Sequence, residues 1–427
     1  MRGFLGRIRH LSPGVVDAGV ASIATFGTGL AGVNLLSDSD RGVYGIFFTA
    51  FFLGTVIVTE SILVPAQVVA VNQPSGRHLE HAQHGFLLAL LPAAVACQAA
   101  VVAALLNRGI ASTEVLLALT TTTSATIILS PMQDHARQLL HIAGRSWEAA
   151  LVSIVQLSIV AISITSMVYL DATPAWIPFG SLAVANAISL TVGILLTRRG
   201  LPRRIAGDPP TLSYLLASGK WLVARSALPA LLAFASANII TQLAGSVAYG
   251  YAEAARQVAQ PVTVLASGLL AMMAPPAIRA ASHHDGNAAR RNRGTYLLVL
   301  GAAAGMYLLL VSWDWVLNPM SLLVPSAYVV GGLVAATILA NGLAAGFRIL
   351  SKEMLGAGRA RNLAAISLVS APFLPLAALT AGITEAFARP LGYILEGVTR
   401  ISVAGASLND YYRHPVDLER EEANHVR

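Results

Sequence analysis

The chain has 427 residues, of which 55% are hydrophobic and 11% charged, and its formal net charge is +7. Soluble domains carry about 25% charged residues, so this chain has too few charges to cover a soluble fold of its size. That excludes disorder, a collagen-like fibre and a secreted disulfide scaffold, and Cys97, the only cysteine, rules out an internal disulfide and a cysteine metal cluster.

An all-α polytopic membrane protein is expected. Roughly 235 residues are hydrophobic, and at about 20 residues per membrane helix they allow on the order of twelve spans. In chain order these read 14–36, 43–70, 85–106, 114–134, 147–170 and 176–197, then 221–244, 247–275, 295–312, 326–347, 362–381 and 384–407. The runs are long and continuous, which suits helices and not barrel strands. The first follows Arg2, Arg7 and Arg9 and is longer than a signal core, so it reads as an uncleaved first helix. The chain divides into a six-helix lobe over 1–197, a basic linker over 198–220, a second lobe over 221–407 and a polar tail over 408–427.

Basic residues orient this map. Of 28 Lys and Arg, 23 fall in the termini and even-numbered loops, counting Arg400 near the end of the last span with the C-terminal side, and only Arg41 and Arg108 fall in the odd-numbered ones. The positive-inside rule then places both termini in the cytoplasm of a cell or inner membrane. Arg225, Arg256 and Arg389 remain inside spans. The basic loops adjoin spans and lack interleaved aromatics, so anionic membrane lipids are the expected partner and nucleic acid is not.

The two halves echo one another. Gln138–Arg145 and Lys352–Arg359 both end in a glycine–arginine pair, and Tyr44-Gly45 and Tyr249-Gly250 both open the second span of a half. Six helices per repeat gives both halves one orientation, with a central cleft between them. Charges at membrane depth are costly and usually face a cavity or a partner. Asp17, Glu60, Arg225, Glu253 and Arg256 fall on spans 1, 2, 7 and 8, the equivalent first pairs of the two halves. Arginine suits phosphate because its planar fork donates two hydrogen bonds. Asn34, Asn238, Gln242, Gln257 and Gln260 add uncharged donors for sugar hydroxyls.

A plainer reading makes the charges mutual pairs that hold helices together, Glu253 with Arg256 and Arg389 with Glu396. Pro229 and Pro261 lie inside spans and are expected to kink them and gate the cleft, whereas Pro65, Pro275 and Pro276 are expected only to end helices. His78, His81 and His84 with Glu80, and the run His283-His284-Asp285, are weak metal candidates. No nucleotide-phosphate loop, zinc-protease motif or nucleophile elbow is present, so neither a cofactor nor an enzyme is expected.

The stretch 221–276 resembles helices 7 and 8 of polysaccharide-type flippases, the O-antigen and teichoic-acid exporter type of the multidrug/oligosaccharidyl-lipid/polysaccharide exporter superfamily. Tyr249, Tyr251, Ala254, Ala255, Arg256, Pro261 and Pro275 carry the resemblance, with Ser39–Ile46 matching the family's glycine–tyrosine entry to helix 2. It implies two six-helix lobes, alternating access and export of a lipid-linked oligosaccharide or polysaccharide precursor. Arg256, and with it Arg225, would meet the diphosphate linkage. Glu60 and Glu253 depart from the most cationic members. They leave open a cation-coupled multidrug exporter, in which a carboxylate would bind the coupling cation. A glycan polymerase or ligase is the third reading, against which stand the short external loops.

Overall fold

The computed structural model describes residues 2–71, 78–199, 210–313, 315–321, 323–325 and 331–413. The first half holds α1 (Arg2–Leu35), α2 (Asp38–Val58), α3 (Val64–Val71), α4 (His78–Ala96), α5 (Gln98–Leu106), α6 (Thr113–Ile142), α7 (Ser146–Tyr169) and α8 (Ile177–Arg198). The second holds α9 (Leu212–Ala244), α10 (Ser246–Ser282), α11 (Gly286–Val311), α12 (Leu333–Gly356), α13 (Ala360–Ser370), α14 (Phe373–Ala378), α15 (Ala381–Thr384) and α16 (Ala388–Arg413).

Local chemistry sets the ends. Ser37, Ser112, Thr211 and Asp285 each accept an N–H of the first turn that follows, at 2.9–3.3 Å, which satisfies donors a helix start leaves orphaned. Gly144, Asp171, His284 and Gly358 take positive φ just past four helix ends, the left-handed residue of a closing turn. Large apolar side chains such as Leu298, Met306 and Leu87 stay about 70% exposed, a belt that suits lipid tails. Ten helices among the described residues are long and apolar enough to cross a membrane, and α10, bent in two, makes eleven. The twelfth expected span is α16. Its Arg389, Glu396 and Arg400, spaced seven and four apart on one face, lower its apolarity.

Several boundaries differ from expectation. Thr211 caps α9 nine residues early, so Lys220 and the end of the expected linker are helical; residues 200–209 lie outside the described chain, as do Arg77 and 414–427. Helix α12 is described from Leu333, with 326–330 outside the described residues, and Asn318 is buried in the segment before them. The Asn318 amide donates to Trp313 O at 2.9 Å and its Oδ1 accepts from Met320 N at 2.9 Å. A π-turn, Thr59–Leu63, interrupts the second span at Glu60. The third breaks at Cys97, whose thiol lies 3.5 Å from Ser124 O. Helix α10 bends by 52° between Leu270 and Met272. The bend is four residues before Pro275, whose ring meets the carbonyl four back. Pro275 and Pro276 are therefore the kinking prolines, inside the helix and not at its end.

The repeat has a physical counterpart. Gly144 and Gly358 have φ of 74° and 70°, and the next residues, Arg145 and Arg359, have φ of −103° and −90°. Arg145 Nη1 donates to Leu196 O at 2.9 Å, and Arg359 Nη1 donates to Ser407 O at 2.7 Å. In each half the arginine after the glycine turn ties that turn to a backbone carbonyl in the last two turns of the last helix.

Candidate functional site

The deepest charge cluster lies where α10, α16 and α2 meet. Glu253 is fully buried. Arg256, one turn on, donates from Nε to both carboxylate oxygens at 2.9 and 3.0 Å and from Nη2 to Oε1 at 2.5 Å. Arg389, in the first turn of α16, donates from Nη1 to Oε2 at 2.8 Å. Gln257 Nε2 lies 3.3 Å from Oε1. Two arginines thus share one carboxylate, and the cluster keeps a positive charge. The expected pair of Arg389 with Glu396 does not form. Glu396 meets Arg400 at 2.6 Å, one turn along the same helix, while the bend of the chain before α16 brings Arg389 onto Glu253.

This cluster ties the two halves together. The Arg256 guanidinium stands 3.9 Å from the Phe48 ring centroid on α2, a cation–π contact, and that of Arg389 lies 5.0 Å from the Tyr249 ring. Helices α2 and α10 approach closely here. A β-carbon on Gly42 would overlap the Ser246 carbonyl, and one on Gly45 would lie 2.9 Å from Tyr249 and 3.2 Å from Glu253. On α1, a β-carbon on Gly29 would overlap the Gln257 amide. At this end the halves are shut against one another, and Glu253 is fully buried among the described residues.

The other sequence candidates scatter. Glu60 and Arg225 are half-buried, and Ser226 Oγ lies 3.5 Å from Glu60 Oε1, so the π-turn meets α9 well away from Glu253. Asn238 Oδ1 accepts from Asn107 at 3.3 Å, and Gln242 donates to Leu106 O at 3.1 Å; both hold α9 against α5. Asn34 donates to Leu30 O at 2.9 Å and Leu323 O at 2.8 Å. These three amides brace the fold through backbone or side-chain bonds. Gln257 alone joins the arginine cluster. Helix α9 runs through Pro229 as one span, and the bend of α10 is ten residues beyond Pro261. His283 and Asp285 form a helix turn, while His284 Nδ1 lies 2.9 Å from the Tyr411 hydroxyl. No group able to hold a metal occurs among the described residues, and the side chains of His78, His81 and His84 lie outside them.

Sequence reasoning missed a second cluster. Arg137 was expected in a loop, yet α6 runs on to Ile142 and carries it into the bundle. Asp17, 3% exposed, accepts from Arg137 at 3.3 Å and Ser153 at 2.5 Å, and His141 Nε2 lies 2.9 Å from its other oxygen. The signal was present in the spacing: Asp134, Arg137 and His141 recur at three and four residues, one helical face. Asp17→Asn leaves buried Arg137 paired only with Asp134, at 2.8 Å, and weakens the buried bonds to Ser153 and His141; it is expected to lower stability by about 1–3 kcal/mol. Asp134→Asn, at an exposed carboxylate, is expected to change it by less than about 1 kcal/mol. Detergent melting curves of the two variants check this.

No family model matches the chain, and no curated protein sequence matches it. Solved structures do. An inward-facing multidrug resistance MATE family transporter of the MOP superfamily is similar with a TM-score of 0.68 at 13% identity, over 93% of this chain and 96% of that one. An outward-facing one gives 0.60 at 12% identity, over 93% of each. A MOP superfamily transporter from Pyrococcus furiosus, described as having a binding pocket of reverse polarity that suggests a different function, gives 0.61 at 13% identity, over 95% and 96%. The chain is a multi-pass membrane protein with the two-lobed, all-helical fold of the MATE transporters.

Proposed function

We propose that the protein is a transporter that moves a lipid-linked oligosaccharide or polysaccharide precursor from the cytoplasmic to the outer leaflet by alternating access. The observation that carries this reading is the excess positive charge of Arg256 and Arg389 over Glu253, buried where the halves meet. A diphosphate linkage is the complementary charge. The basic-residue ledger assigns the shut end to the exterior, which makes the conformation inward-facing. In keeping with that, the inward-facing neighbour is the more similar of the two conformations compared. A polymerase or ligase gains no support, since the neighbours are transporters by name.

The multidrug-exporter reading rests on a different observation. Glu60 sits half-buried on a π-turn, a distortion common at functional sites. Ser226 Oγ of α9 lies 3.5 Å from Glu60 Oε1, and Arg225 on the same helix acts on it electrostatically. A cation exchanging at Glu60 would couple such export.

One comparison separates the readings. Arg256→Ala leaves Glu253 neutralised by Arg389, so the fold survives. It is expected to cut surface glycan by about tenfold or more, the worth of one charge-assisted hydrogen bond, with precursor accumulating in the inner leaflet. Unchanged glycan and precursor pools would sink the flippase. Drug sensitivity from Glu60→Gln, with glycan intact, would install the exporter.

A further inference from the structure

Arg389 has more donors than the cluster uses. Its guanidinium carries five N–H groups; Nη1 reaches Glu253, and the others have no hydrogen-bond partner among the described residues. Glu253 is already saturated, with three contacts from Arg256 and one from Gln257. Beside Arg389 lies a small cavity bounded by Ser236 and Ala233 of α9, Tyr249 of α10, Leu374 of α14 and Tyr393 of α16. It is lined by one half of the molecule alone, and it has room for about one small occupant.

Three terms act on that space with one sign. The cluster's uncompensated charge is positive. Arg389 sits in the first turn of α16, where the helix dipole adds further positive potential. Burial at membrane depth makes an unmatched cation costly, because little solvent screens it. No carboxylate other than Glu253 pairs with Arg389 among the described residues.

We infer that this cavity binds a small monovalent anion of halide size, chloride being the abundant one, held by Arg389 as a structural counter-ion. The inference goes beyond the transport reading and stands without it. A lipid-linked diphosphate is too large for the space, so the ion is distinct from the cargo. In the shut conformation it balances the excess charge of Arg389; on the transport reading it leaves before a diphosphate draws on that charge.

The test uses the purified full chain in detergent. Melting midpoints are measured in sodium chloride, bromide and gluconate at equal ionic strength. A saturable rise of several degrees with either halide, absent with gluconate, is expected. Ala233→Leu fills the half-buried wall of the cavity without touching the Arg389–Glu253 pair, and should abolish that rise. Arg389→Ala would remove the site but also a buried ion pair, so the wild type carries the second measurement: crystals grown in bromide should show an anomalous peak within hydrogen-bond reach of the Arg389 guanidinium. Equal midpoints in all three salts, an undiminished halide response in Ala233→Leu, or a bromide peak only at Arg256 or at the surface would each overturn the site. So would an ordered water there under saturating bromide. Glycan export does not enter the readout, so failure of the flippase reading leaves this result untouched.

Discussion

Glu253→Gln is expected to be the most destabilising single substitution in the chain. It removes the one carboxylate facing Arg256 and Arg389 and leaves two guanidinium groups about one carboxylate-width apart, in a fully buried setting. Breaking a buried pair by deleting one partner costs about 3–5 kcal/mol, and here two partners are stranded and repel one another. The expected result is a large loss of melting temperature in detergent and a drop in folded yield. Arg256→Gln added to Glu253→Gln removes that repulsion and restores one positive charge, the wild-type excess. Stability should return in part, by an amount a double-mutant cycle reads as coupling energy. If Glu253→Gln melts with the wild type, the cluster is solvated and the whole charge argument falls.

Gly42→Val is expected to hold the shut end open. The Gly42 backbone lies against the Ser246 carbonyl with no room for a β-carbon, and backbone cannot step aside as a flexible side chain can. A branched side chain there penalises the conformation described above and leaves one with α2 and α10 apart unaffected. The variant should therefore shift the population toward the opposite-facing state. Ser246, 8% exposed, reports it: in a Cys97→Ala background, Ser246→Cys should react slowly with a membrane-impermeant maleimide, and at least about tenfold faster when Gly42→Val is added, which corresponds to about 1.4 kcal/mol of bias. No change in labelling would mean that this contact does not gate access.

Much of the architecture is legible in the sequence, because membrane helices announce themselves by apolar length alone. Every expected span has a helix beneath it. An end was misplaced where a capping residue overrode hydropathy, as at Thr211. The site was half legible. Glu253, Arg256 and Gln257 share one helical turn and could be grouped from spacing. Arg389 could not, since its partner depends on how a broken segment around Glu385, with φ of 48°, turns the chain into α16. Asn34, Asn238 and Gln242 show the opposite failure. Amide side chains at membrane depth look like ligands in a sequence, but a backbone carbonyl or a second amide satisfies them just as well. Asp17 was visible while its partners were not, because Arg137 lies beyond the hydropathic end of its helix.

The sharing of one carboxylate between two arginines bears on how long a cargo would stay. A carrier must let go of what it picks up, and dwell time rises steeply with the strength of the grip. Two unit charges about 4 Å apart attract by about 4 kcal/mol at an effective dielectric of 20, and each 1.4 kcal/mol multiplies residence about tenfold. An interface holding Arg256 and Arg389 with no acid between them would seize a phosphate group and release it orders of magnitude more slowly. Glu253 engages two of the five N–H groups of Arg256, the one on Nε and one on Nη2, and its charge offsets one of the two arginines; on the transport reading this sets the grip at a level from which departure remains quick. If the cluster meets a phosphate-bearing cargo as proposed, the acid at its centre acts as a brake on affinity, the element that keeps turnover possible.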